Sequence, residues 1–181
     1  GKNMVILGLD ISTTCVGYAF TKDKKILDMG FIDIKKYKTP KEKVFFVIDF
    51  LNKSSYIDDV IDINVEDNLS GFAGGRTSQQ TIVKLAKFNA ILCFQLEEIF
   101  DIEVRNINPM TARKQVFGKA RVKGIKAKDL VKMKIEEMYN TKKWCKKTTR
   151  GNWDKRNIDA YDGLVMSLYK ENNGWKYRLY N

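Results

Sequence analysis

Four carboxylates stand where a folded chain does not keep charge without a reason. Asp10 interrupts the apolar run Val5-Ile6-Leu7-Gly8-Leu9-Asp10-Ile11, and Glu66 closes Val60-Ile61-Asp62-Ile63-Asn64-Val65-Glu66 with Asp67 beside it. Asp159 and Asp162 are three apart in the run 157–168, so one helix face carries both. Burying an unpaired carboxylate is costly, and such groups are normally paired, hydrogen-bonded, neutralised or metal-bound. For Asp10 a local alternative stays open: it could cap the turn amides of Ser12, Thr13 and Thr14. In an α/β sheet, strand ends and helix starts converge at one rim. Four carboxylates gathered there, without histidine, form a hard-oxygen site suited to magnesium or manganese. Two such ions roughly 4 Å apart can activate a water and stabilise the leaving oxygen of a phosphodiester.

Composition narrows the chemistry. The 181 residues include no histidine, which removes Ser-His-Asp and Cys-His triads and every His-ligated metal site. Cys15, Cys93 and Cys145 are far apart and form no CxxC pair, so they read as reduced, small apolar residues of a cytosolic protein. Against 22 acids stand 33 Lys+Arg, a formal charge of +11. That balance favours a polyanionic partner, nucleic acid before membrane. The basic residues cluster: Arg113, Lys114, Lys119, Arg121, Lys123, Lys126 and Lys128 form one run. A second, 142–150, encloses Trp144, with Trp153 close behind. Interleaved lysine and tryptophan suit phosphate contact plus base stacking, with a solvated loop as the alternative. Two prolines and no low-complexity tract leave no linker, so residues 1–181 are expected to form one domain. No signal peptide or membrane-spanning run is apparent, and the expected location is the cytoplasm.

The elements that must position the acids follow from periodicity. The first strand starts at Val5 and ends at Asp10, residues 15–20 form a second and 26–34 a third, joined by short polar turns as an antiparallel meander. Pro40 opens a helix capped by Thr39, with Val44, Val47, Ile48 and Leu51 at helical spacing. A fourth strand carries Glu66. The glycine-rich loop 68–75 follows, as a connector or as a mobile loop presenting Leu69 and Phe72 as an apolar wedge. Residues 77–100 form a long helix, apolar on more than one face; one side meets the sheet and the other suits a second copy of the chain. A fifth strand spans 102–107 and stops at Asn108-Pro109, and an amphipathic helix spans 126–140. In the last helix, Ala160 and Gly163 are small enough for close backbone approach.

The stretches Gly8-Leu9-Asp10-Ile11-Ser12, Val65-Glu66 and Asp159-Ala160-Tyr161-Asp162-Gly163-Leu164 resemble the acidic motifs of RuvC-type Holliday junction resolvases, in the ribonuclease-H-like superfamily. The element order β-β-β-α-β-α-β-α-α matches that fold along nearly the whole chain. The resemblance implies an α/β fold with a mixed five-stranded sheet, its first three strands antiparallel, flanked by helices on both faces. It implies Asp10, Glu66, Asp159 and Asp162 as ligands of two magnesium ions, with manganese able to substitute. Lys128 matches one family lysine. Arg113 stands near the place of another, with Lys114 beside it as the alternative; a guanidinium fork is not a point charge. The family's junction-inserting aromatic has Leu69 or Phe72 as its counterpart. Ser12, Thr13, Arg76, Lys114, Lys119, Arg121, Lys123 and Lys126 would contact DNA.

The implied activity is a magnesium-dependent endodeoxyribonuclease that resolves four-way junctions, and other branched DNA, by paired symmetric nicks from a homodimer. The Lys-rich style and the basic segment 141–156 look like a phage or viral member, which would act in an infected host cell. Two alternatives stay open: a ribonuclease-H-like enzyme on RNA or RNA–DNA hybrid, and a DNA-binding module with silent acids. An actin-like ATP-binding domain shares the opening strand but needs further phosphate loops and roughly twice the length.

Overall fold

The computed structural model describes residues 4–69 and 77–171. In chain order it contains β1 (Val5–Ile11), β2 (Cys15–Lys22), β3 (Lys25–Asp33), α1 (Pro40–Asn52), a single 3-10 turn at Ile57–Asp59, β4 (Val60–Glu66), α2 (Gln79–Phe100), β5 (Val104–Ile107), α3 (Pro109–Phe117), α4 (Ala127–Met138) and α5 (Asn157–Leu168). The strands form one sheet in the order β3-β2-β1-β4-β5. β1, β2 and β3 pair antiparallel, while β4 runs parallel to β1 and β5 parallel to β4. Asp23 and Lys24 turn the β2–β3 hairpin at φ of 50° and 64°, the left-handed pair that matches strand twist in a two-residue loop. The parallel strands need crossovers, and α2 supplies the one between β4 and β5.

The sheet separates two apolar cores. Leu7, Leu9 and Ile11 of β1 face α1 and α2, where Val44, Val47, Leu51, Phe88, Leu92 and Leu96 meet them. The other core gathers Ala112, Val131, Ile135, Tyr161, Leu164 and Val165 from α3, α4 and α5. The mixed five-stranded sheet with helices on both faces is therefore as the sequence predicts.

Strand alternation turns Gly8 and Asp10 toward α5. Every residue of α5 from Ala160 to Leu168 is buried. The helix lies almost on the backbone of the sheet: a methyl carbon at Gly17 would sit 1.8 Å from the Asp159 carbonyl oxygen, and one at Gly8 would sit 2.0 Å from that of Gly163. Side chains fix the far end. Asn64 Nδ2 donates to the Met166 carbonyl at 2.9 Å, and Thr21 Oγ1 to that of Ser167 at 3.3 Å. Both meet carbonyls of the last turn, where a helix has acceptors to spare; that of Met166 also accepts from the Tyr169 amide at 3.3 Å.

Some boundaries differ from the sequence reading. α2 starts at Gln79, where the Ser78 hydroxyl accepts from the Thr81 amide as N-cap. β5 is shorter and starts at Val104, and α4 ends at Met138. The α3 helix is absent from the expected order. Asn108-Pro109 does end β5, but it also starts this helix: Asn108 accepts from the Met110 and Thr111 amides, and Pro109 is the first helical residue. Phe72 and Arg76 lie outside the described residues, as does the loop 70–76. No helix among the described residues is long and apolar enough to cross a membrane.

The contact between α5 and the sheet yields a stability test. Gly17→Ala is expected to cost at least about 3 kcal/mol in urea unfolding, because backbone rather than a side chain must move. Gly163→Ala, whose added carbon would meet Gly17 at 3.1 Å, is expected to cost less.

Candidate active site

Three of the four acids converge. Carboxylate oxygens of Asp10, Glu66 and Asp162 all lie within 4.8 Å of one another. The residues are 7%, 4% and 6% exposed. The β1–β4 register aligns Leu9 with Val65, which brings Asp10 beside Glu66 on adjacent strands. Asp162 reaches them because Gly8 and Gly163 let α5 approach. Asp159, half-buried one turn earlier, stands outside that close triad but near enough to Asp10 to feel its charge.

The electrostatics follow from burial and crowding. Burial first, then the charges of Asp10 and Asp162, hold the Glu66 carboxyl well above its ordinary range. Burial and Asp10 do the same for Asp162, against the lowering pull of Arg113 and Lys128. Asp159 is pushed up to about 6, by burial and then Asp10. Like charges this close cannot all ionise without a counter-charge.

The protein supplies part of that counter-charge. Arg113 of α3 places Nη2 3.3 Å from Glu66 Oε1 and 3.7 Å from Asp162 Oδ1. Its Nε is buried and makes no hydrogen bond among the described residues. Lys114 instead points to solvent, so Arg113 is the one that meets the acids. Lys128 is exposed in the first turn of α4 and lowers the proton affinity of Asp159 and Asp162 from the solvent side.

Asn68 was not among the expected site residues. Its Nδ2 donates to Asp10 Oδ1 at 2.6 Å and to the Ile11 carbonyl at 3.1 Å. Its signal was faint: a short amide two residues past a strand-ending acid. The capping alternative for Asp10 meets a different arrangement. Ser12 Oγ donates to the Cys15 carbonyl at 2.8 Å and accepts from the Cys15 amide, so the turn is held by its own ends. Thr13 offers its carbonyl to the Lys43 ammonium.

The remaining candidates are dispersed. Lys119, Arg121, Lys123 and Lys126 are exposed along the connection between α3 and α4. Leu69 is half-buried just after β4, its amide bonded to Asp67. Trp144 and Trp153 do not stand free for base stacking. Trp153 packs on Tyr161 with ring centroids 5.8 Å apart, and Lys132 lies over its ring. Trp144 packs against the same core.

The donor set is all carboxylate, desolvated and mutually repelling. Such a site fits a hard divalent cation and offers nothing to a soft one.

By sequence alone, the chain matches no family model and no curated protein. Solved structures do match. T. thermophilus RuvC in complex with Holliday junction substrate aligns over 97% of this chain and 96% of its own, at TM-score 0.59 and 14% identity. A second T. thermophilus RuvC structure aligns over the same shares at TM-score 0.56. The yeast mitochondrial Holliday junction resolvase Ydc2 aligns over 92% of this chain and 77% of its own, at TM-score 0.60 and 13% identity. The fold is that of RuvC. On this RuvC fold, the buried triad lies where β1, β4 and α5 meet.

The raised carboxylates set a pH dependence. An acid whose folded pKa is raised binds more protons folded than unfolded, so its ionisation lowers stability as pH rises above the ordinary value. For Glu66 that ordinary value is 4.5. With a chelator present, Glu66→Gln is expected to melt about 3–8 °C above wild type at pH 8, the gap closing toward pH 4.5. Adding magnesium should raise the wild-type melting temperature more than the variant's. Differential scanning fluorimetry across pH, with and without the ion, checks both.

Proposed function

We propose that the chain is a homodimeric, magnesium-dependent endonuclease that resolves four-way DNA junctions, and acts on other branched DNA, by paired symmetric nicks. The observation that carries this reading is the buried triad Asp10–Glu66–Asp162 on a RuvC fold. A basic chain of net charge +11 supplies the attraction to a polyanion.

Asp10, Glu66 and Asp162 would hold the ion, with Asp159 at the margin of the site. When bound, magnesium or manganese supplies a Lewis acid for the phosphoryl oxygen and lowers the pKa of water. The other steps belong to the protein. Arg113 offsets the repulsion between Glu66 and Asp162 and keeps both carboxylates turned inward. Asn68 fixes the rotamer of Asp10. Asp159, with a proton affinity near 6, is suited to take a proton at a carboxylate oxygen at neutral pH. Lys128, which closes no ion pair with a carboxylate among the described residues, reaches toward the phosphate of an incoming strand. Lys119, Arg121, Lys123, Lys126 and Lys114 provide phosphate contacts that position DNA without reading its sequence. Leu69 stands at the entry to the glycine-rich loop, in a place that suits a wedge.

An apolar groove between α1 and α2 supports the dimer. Val44, Phe45, Ile48, Ile91 and Ile99 line it, and Phe45 is 73% exposed. Val83 and Phe94 continue the apolar surface along the solvent face of α2. Exposure of this kind marks an interaction surface.

Two outcomes follow. With magnesium, the protein should place paired nicks in a synthetic four-way junction, while Asp10→Asn abolishes cutting and retains junction binding; equal cutting of linear duplex would refute the reading. Light scattering should give twice the chain mass, and Phe45→Glu should give the monomer.

A further inference from the structure

A second binding feature lies beside the β1–β2 turn, with Thr13 of that turn in its lining. Four lysines from three separate elements converge on one cleft: Lys38 precedes α1, Lys43 is on α1, and Lys84 and Lys87 are on α2. The cleft has a volume of about 360 Å³, with Thr13 at one edge and buried Phe88 beneath. Among the described residues no acidic side chain lines it. Glu42, the nearest acid in sequence, is occupied in helix capping, where its Oε2 accepts from the Lys38 amide at 3.2 Å. Lys84 and Lys87 are three apart on one helix face, an arrangement of like charges that works against the helix. Four ammonium groups around one cleft repel one another until an anion arrives.

One lysine is already tied to the strand that carries Asp10. The Lys43 ammonium donates to the Thr13 carbonyl in the turn after β1. An ammonium has three donors, so two remain for a ligand. Thr13 is three residues from Asp10, a chain reach of at most about 11 Å. A polyanion strand seated in this cleft would thus run past the acids within a few phosphates.

We propose that Lys38, Lys43, Lys84 and Lys87 form a phosphate-binding cleft that holds the backbone of a DNA arm a few nucleotides from the cleaved bond. The inference rests on the DNA-nuclease reading and adds a site to it. The cleft orients the arm and reads no bases, because compact ammonium charges meet phosphate without a directional code. A free phosphate or nucleotide offers the same chemistry from another source.

The test is junction binding by the full chain, measured by fluorescence anisotropy in calcium between 50 and 200 mM salt. Lys84→Glu/Lys87→Glu is expected to weaken binding at least tenfold at the low-salt end. Its plot of log affinity against log salt should be shallower by about 1 per lysine. Lys84→Gln/Lys87→Gln should lose the same slope to a smaller drop in affinity, and both variants should melt within a few degrees of wild type, since these lysines are exposed. Lys53→Glu, at the far end of α1, should leave the slope unchanged. An unchanged slope in the double variants overturns the cleft and leaves the nuclease reading standing. Wild type that binds no branched DNA overturns both. Displacement of the junction by millimolar inorganic phosphate from wild type and not from Lys84→Gln/Lys87→Gln, with the salt slopes equal, assigns the cleft to a small anion and overturns the proposal.

Discussion

The structure depends on one contact, the seating of α5 against the bare backbone of β1 and β2. Gly8 and Gly17 supply no side chain where the helix arrives, and Gly163 supplies none in return. Two of the four acids ride on this helix and one on the strand beneath it. Any side chain in the gap would lift α5 by the thickness of a methyl group and separate Asp162 from Asp10 and Glu66. The same closeness strips water from Glu66 and Asp162, which raises the proton affinities of those two carboxylates. Packing and electrostatics at the site are therefore two readings of one distance.

Around that contact, the chain spends polar residues to hold a charged interior. Asn64 ties β4 to the end of α5 and also accepts from Arg105 Nε at 3.1 Å. Arg105 in turn meets Asp62 and Glu171. Asn68 and Arg113 act one layer nearer the acids. Tyr161, between Asp159 and Asp162 in sequence, turns away from the site. Its hydroxyl meets Thr141, Glu136 and Cys145, which fastens α5 to α4 and to the segment beyond it. An uncompensated buried charge costs far more than a weak surface pair gains, so these links matter more than the exposed Lys–Glu pairs of α4.

Much of this was legible in the sequence, for a definite reason. A carboxylate inside an apolar run violates the ordinary pattern, and Asp10, Glu66 and Asp162 each did so. The convergence of strand ends and helix starts at one rim then gave the place where they meet. What was not legible needed three dimensions. Choosing Arg113 over Lys114 requires the phase of α3, a nine-residue helix with little apolar periodicity, which was missed because its cap also ends a strand. Trp144 and Trp153 sit among lysines in sequence, yet in space Trp153 packs on Tyr161 and Trp144 packs against the same core. Asn68 carries no signal beyond its neighbour Glu66. The four lysines of the cleft are spread over fifty residues and mean nothing until α1 and α2 lie side by side.

Arg113 has one more consequence. Its guanidinium already answers part of the negative charge that the triad concentrates. The fold thus carries a built-in counter-ion and does not have to wait for a metal to close. On the proposed reading, folding of the chain and its uptake of a divalent cation would be separate events, and the folded protein would stand ready in proportion to the free cation around it.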